Sequence, residues 1–150
     1  MLDGVTKEVN ILLWIVTFQL ASRGADYFTG NPRPGVGAFE VGAYTPALVW
    51  GAACLATAAV VLVGLFVKSR RVTRDGAVLA MCVYLAFSVV VVDDVFRDGF
   101  DDWRILTGYL AAAATWGVLA GSLTLSIAVA DNRKGGADGD RRSCRTTRND

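Results

Sequence analysis

"ALVWGAACLATAAVVLVGLFVKSRRVTRDGAVLAMCVYLAFSVVVV", residues 47–92, sets two uncharged blocks around a short basic segment. The first block, 47–67, has 21 residues without a charge, about 31 Å of helix at 1.5 Å per residue. The second, 76–92, has 17. A bilayer core about 30 Å thick needs roughly 17 to 25 apolar residues in helical form. A helix on the surface of a soluble bundle would show a polar face at helical period. These blocks are apolar all round, so the stretch reads as two membrane-spanning helices joined by a charged turn.

Working outward, 105–130 is a third long apolar block of 26 residues, long enough to require tilt. Hydrophobic residues make up 53% of the chain and charged ones 19%, where a soluble domain has about a quarter charged. The charges lie between the blocks, so the net charge of +1 says less than its distribution. Towards the N-terminus, "VNILLWIVTFQLAS" (9–22) is interrupted by Asn10, Thr17 and Gln19. Extended to 5–25 it has spanning length, with Lys7, Glu8 and Arg23 near its ends, where long side chains can reach the interface. A first spanning helix is favoured. An interfacial helix and a cleaved signal peptide remain open, although Asp3 and Glu8 against Lys7 argue against a secretory leader. The expected architecture is an all-α integral membrane protein. Residues 1–130 form a four-helix domain with spans at about 5–25, 47–67, 76–92 and 105–130. Residues 131–150, almost without apolar side chains, form a disordered basic tail.

Orientation follows from the positively charged loops. Lys68, Arg70, Arg71 and Arg74 lie between the second and third spans, and the tail carries six further Lys and Arg residues. Between the third and fourth spans, Arg97 and Arg104 face Asp93, Asp94, Asp98, Asp101 and Asp102. The basic turn, the tail and the N-terminus are therefore expected on the cytoplasmic side of a bacterial inner membrane. The acidic segment is expected outside, stopping the third helix. Val95, Phe96, Phe100 and Trp103 recur near helical spacing, so 94–104 reads as a short interfacial helix. A calcium loop centred on Gly99 would have Asp94 and Asp98 in place, but Phe96 and Ile105 stand where further oxygen ligands are needed. In the other outer segment, 23–46, Pro32, Pro34 and several glycines exclude a regular helix, and Tyr27, Phe28, Phe39 and Tyr44 suggest an interfacial loop. Pro46 suits the first turn of the following helix. "GVG" (35–37) lacks the strand and third glycine of a dinucleotide site.

There is no histidine, which removes the commonest general base and metal ligand. Cys54 and Cys82 read as small buried hydrophobes, and Cys144 as a reduced thiol in the tail. No acid or base is placed deep in a span, where ion-coupled transporters keep them. Nothing marks an enzyme, a cofactor, a metal, a nucleic-acid partner or a small-molecule substrate. The spans do carry small residues four apart. These are Ala113, Gly117 and Gly121 in the last helix, Ala52 and Ala56 (with Gly64) in the second, and Gly76, Ala80, Tyr84 and Ser88 in the third. Such stripes let helices approach closely, within the chain or between copies. On this reading Leu119 and Leu123 face lipid and tolerate change.

In length, span number, short loops and charged tail, the chain resembles the holins of tailed bacteriophages. Its Ala/Val/Gly/Arg/Asp-rich composition is similar to proteins of GC-rich actinobacteria and their phages. The resemblance is architectural and carries no residue motif. It implies a protein that oligomerises in the cytoplasmic membrane and permeabilises it, allowing cell lysis. The alternative is a non-pore accessory bundle that binds another membrane protein or alters the envelope. Only Asn10 and Thr17 in the first helix, and Thr107, Thr115 and Ser122 in the fourth, offer polar faces for a water-filled lesion.

Overall fold

The computed structural model describes the backbone of residues 2–29, 47–98 and 103–146, and the side chains of 7–29, 48–92 and 103–132. These form four helices: α1 (Leu2–Thr29), α2 (Ala47–Phe66), α3 (Arg70–Asp98) and α4 (Trp103–Thr146). Each packs on its sequence neighbour, α1 on α2, α2 on α3 and α3 on α4. All three pairs run antiparallel. Trp14 meets Phe66 across α1–α2, Trp50 meets Phe87 across α2–α3, and Phe87 meets Tyr109 across α3–α4. The result is an up-down-up-down bundle with a basic end at the α2–α3 turn and an acidic end opposite.

Three helical stretches are long and apolar enough to cross a membrane: Leu48–Phe66, Arg70–Val92 and Trp103–Asn132. Large apolar side chains also cover the outside of every helix. Phe18 is 76% exposed on α1, Val63 55% on α2, Val89 71% on α3 and Val118 72% on α4. A soluble monomer rarely carries so much contiguous apolar surface.

The core is built of Leu20, Val61, Tyr84, Phe87, Trp116 and their neighbours. Backbones come close where glycine removes a side chain. A Cβ on Gly51 would stand 2.8 Å from the Phe28 nitrogen, and one on Gly24 2.8 Å from Leu55 Cγ. At the other end, a Cβ on Gly64 would stand 2.6 Å from the Thr73 nitrogen, and one on Gly76 2.7 Å from Val61 Cγ2. The α1–α2 pair is thus seated on glycines that lie outside the stripes expected from spacing.

The α2–α3 turn is closed by its own backbone. Ser69 N–H donates to the Gly64 carbonyl (2.9 Å) and Lys68 N–H to that of Leu65 (3.2 Å). This is the paired bonding of a Schellman C-cap, in which the residue after the cap adopts a left-handed conformation. Glycine usually fills that position, but here Lys68 does, at φ 56°. Ser69 then caps α3, its carbonyl accepting from the backbone N–H and the hydroxyl of Thr73 (both 3.0 Å).

Three boundaries differ from the sequence expectation. First, α3 does not stop at the aspartates but continues through Asp93 and Asp94 to Asp98. Residues 94–98 are its last turns rather than a separate interfacial helix. An aspartate disfavours burial far more than it disfavours helical backbone. Second, α1 extends to Thr29 and carries Tyr27 into the core instead of leaving it at an interface. Third, α4 remains helical to Thr146, where composition predicts a disordered tail from 131; no proline interrupts that stretch. The loop aromatics Phe39 and Tyr44, Pro46, and the calcium-loop alternative around Gly99 fall outside the described side chains.

Candidate functional site

Two side-chain clusters stand out, one near each end of the bundle. Near the acidic end, Tyr27, Trp50, Phe87 and Tyr109 bring one ring from each helix together. Phe87 stacks on Tyr109 (centroids 5.2 Å, 8° apart) and on Tyr27 (5.6 Å), and Trp50 lies 4.4 Å from Phe87. The hydroxyls of Tyr27 and Tyr109 share a hydrogen bond at 3.3 Å. Against this aromatic wall lies the half-buried Arg23, its Cζ 5.1 Å from the Tyr109 ring centre and 5.8 Å from that of Tyr84. A guanidinium within about 6 Å of a ring face is held by the ring's negative quadrupole. Among the described residues Arg23 has no carboxylate partner. The nearby Trp50 Nε1–H is buried without an acceptor among the described residues.

This corrects the expectation that the Arg23 side chain reaches outward from the end of its helix. Arg23 is six residues from the end of α1 and Tyr109 six from the start of α4, about 9 Å along each helix. The sequence reading sends Arg23 to the helix end because a long side chain can reach outward from there. The structure turns it inward, where the rings of Tyr84 and Tyr109 receive it. The usable signal was Tyr27 one turn beyond Arg23, together with Tyr84 and Tyr109, the single tyrosines of their apolar blocks. The cluster holds α1 to α3 and α4 through side chains, since the backbones of α1 and α4 are not close neighbours.

Near the basic end is a cavity of about 380 Å³ bounded by all four helices. Lys7, Lys68 and Arg70 stand on its rim, and Asn10, Leu13, Trp14 and Leu123 are among its walls. The other two arginines at this end are already engaged, Arg71 with Asp131 (3.5 Å) and Arg74 with Asp75 (2.7 Å). No carboxylate among the described residues lines the cavity, and among those residues Lys7, Lys68 and Arg70 form no ion pair. Of the four basic residues expected between the spans, Lys68 lies in the α2–α3 turn, and Arg70, Arg71 and Arg74 lie in the first turns of α3.

The small residues singled out for packing divide. Ala113 is buried, as are Gly76, Ala80, Tyr84 and Ser88 of the α3 stripe. Gly117 is half-buried, and a methyl added there would meet only Met81 Sδ, at 3.2 Å. Gly121 is exposed with nothing within 4 Å of its Cβ position, and Ala52 and Ala56 are exposed too. Leu119, expected towards lipid, is buried at 3%, and Leu123 is half-buried against the core. The cysteines also divide: Cys54 is buried, whereas Cys82 is exposed.

The expected polar faces are largely self-satisfied. Thr17 is buried, its hydroxyl donating to the Leu13 carbonyl. On α4 the hydroxyls of Thr107, Thr115 and Ser122 donate to carbonyls of their own helix, as do those of Thr124 and Ser126. Gln19, by contrast, is exposed about two-thirds of the way along α1, with exposed Asp26 and Ser22 on the same face, the Ser22 hydroxyl donating to the Gln19 carbonyl (2.9 Å). Compared with family models, curated proteins and solved structures, the chain matches none.

Proposed function

We propose that this chain is a multi-pass protein of a bacterial cytoplasmic membrane that associates with itself and, above a threshold density, permeabilises that membrane as holins do. All four helices cross, with both termini and the basic turn on the cytoplasmic side. Three are apolar enough alone, and α1 is carried by its antiparallel packing along α2. Orientation rests on Lys68, Arg70, Arg71 and Arg74 at one end and the aspartates at the other.

The observation that carries the reading is the face of Gln19, Ser22 and Asp26 on α1, which is turned away from the core. An amide within a span prefers protein or water to hydrocarbon. The interior is filled by side chains such as Trp116, Tyr84 and Leu20, so a water path would form between copies, with this face lining it. The exposed seam of Ala114, Val118, Gly121, Leu125 and Ala128 on α4 offers the small-residue surface through which copies associate.

A second reading, a non-pore accessory bundle, is favoured by the α4 hydroxyls, each bonded within its own helix and thus compatible with lipid. Timed expression in a bacterial host separates the two. A permeabilising protein is harmless until an abrupt loss of viability, at which a co-expressed cytoplasmic wall hydrolase escapes and lyses the cell. Gln19→Leu should delay or abolish that moment at equal membrane abundance. Growth inhibition in proportion to expression, with the hydrolase still confined, would overturn permeabilisation and favour the accessory reading.

A further inference from the structure

We infer that the cavity at the basic end is a binding site for the phosphodiester headgroup of an anionic phospholipid. The inference relies on insertion in a bilayer and not on permeabilisation, and its test is made outside cells.

Charge complementarity is the first ground. Of the cations at this end with described side chains, Arg71 and Arg74 are paired with aspartates, while Lys7, Lys68 and Arg70 line the cavity with no carboxylate partner among the described residues. A basic pocket between spanning helices, on the side of the anionic leaflet, is the arrangement that takes acidic lipid headgroups. The walls supply the second ground. Asn10 adds an amide near the rim, and Leu13, Trp14, Leu65 and Leu123 give an apolar interior. A free inorganic anion gains nothing from such walls, whereas a glycerophosphate with its first methylenes would fill both parts. At about 380 Å³ the space is at the small end of ligand pockets, so the acyl chains would continue outside along the helices.

The third ground is the backbone of Lys68. A non-glycine residue in the left-handed region is strained, and such strain gathers at functional sites. The turn geometry asks for glycine at this position, yet a lysine occupies it and lines the cavity. The backbone of the turn would be more stable with a glycine there, so the lysine's contribution lies in what its ammonium meets.

That conflict gives a test in which loss of binding cannot be loss of fold. The full chain, purified in a non-ionic detergent, is titrated with phosphatidylglycerol, phosphatidylcholine or inorganic phosphate, and binding is read from Trp fluorescence and the rise in Tm. Phosphatidylglycerol should bind saturably and the other two should not. Lys68→Gly should raise the lipid-free Tm while weakening phosphatidylglycerol binding severalfold. The pair Lys68→Gln with Arg70→Gln should weaken it by roughly tenfold or more. Arg71→Gln with Arg74→Gln, which removes the same charge from the same end of the bundle, should change it by less than about threefold. Equal losses for the two pairs would mean diffuse surface attraction and overturn the site. Saturation by inorganic phosphate alone would overturn the lipid assignment, and so would equal binding of phosphatidylcholine.

Discussion

Replacing Gly64 with alanine tests the close seating of α2 on α3. The added methyl would stand 2.6 Å from both the nitrogen and Oγ1 of Thr73 and 2.9 Å from its Cα. Ordinary carbon contacts lie at about 3.5–4.0 Å, so relief needs a separation of roughly 1 Å. Most of the obstruction is backbone and cannot rotate away. The same movement would strain the cap in which Gly64 accepts from Ser69. Overpacking of this kind costs about 1–3 kcal/mol, offset by about 0.5–1 kcal/mol for removing a glycine from a helix. The expected net loss is about 0–2.5 kcal/mol, and relative to a glycine-to-alanine change in open space it is the full cost of about 1–3 kcal/mol. Gly121→Ala is the matched control, because nothing lies within 4 Å of its Cβ position; it should be neutral or stabilising by up to about 1 kcal/mol. Dodecylsulfate titration in mixed micelles, followed by far-ultraviolet circular dichroism at low protein-to-detergent ratio, measures both variants on the monomer. Equal stability of the two would refute the close approach of α2 and α3.

Leu119→Ala should cost about 2–5 kcal/mol as a core truncation, whereas Leu125→Ala, at a side chain 69% exposed, should have little effect in the same titration. Tyr27→Phe and Tyr109→Phe should each cost about 0.5–1.5 kcal/mol, and the double variant little more than either alone, because they share one hydrogen bond. In micelles N-ethylmaleimide should modify Cys82 and spare Cys54 until the fold is opened, as mass spectrometry of the labelled peptides would show. In a cysteine-free background, an impermeant thiol reagent applied to intact cells should label Asp98→Cys and not Arg71→Cys; the reverse pattern would invert the proposed orientation.

Much of the fold was legible because it depends on quantities summed over many residues. The blocks at 47–67 and 76–92 correspond to helices Ala47–Phe66 and Arg70–Asp98, and the basic residues between them mark the turn. What failed was the equation of leaving an apolar environment with ending a helix. The first is set by side-chain solvation and the second by backbone bonding, so α3 can carry Asp93 and Asp94 in continuous helix. The Lys68 turn was illegible for a related reason. The expected punctuation is glycine, and the chain places lysine there at the expense of strain.

The candidate sites depended on partners that spacing cannot name. A stripe of small residues identifies a face but not whether a neighbour in the same chain covers it. Gly76 meets Val61 of α2, while Gly121, with the same spacing pattern, faces outward. Gly24 and Gly51 were missed because the contact they make joins two helices separated by a long connection, and neither lies on the stripes read from spacing. Arg23 shows the same limit for charge. Whether its side chain reaches outward or folds inward depends on a competition between solvation at the helix end and the π faces offered inside. Tyr84 and Tyr109 decide it by standing within 5.8 Å and 5.1 Å of Arg23 Cζ. Each ring belongs to a different helix, so the site exists only once α1, α3 and α4 are side by side. The inner cavity is assembled in the same way: Lys7 comes from α1, Lys68 from the turn and Arg70 from α3. Counted along the sequence these residues set topology, and brought together by the fold they form a concentrated positive rim above an apolar pocket.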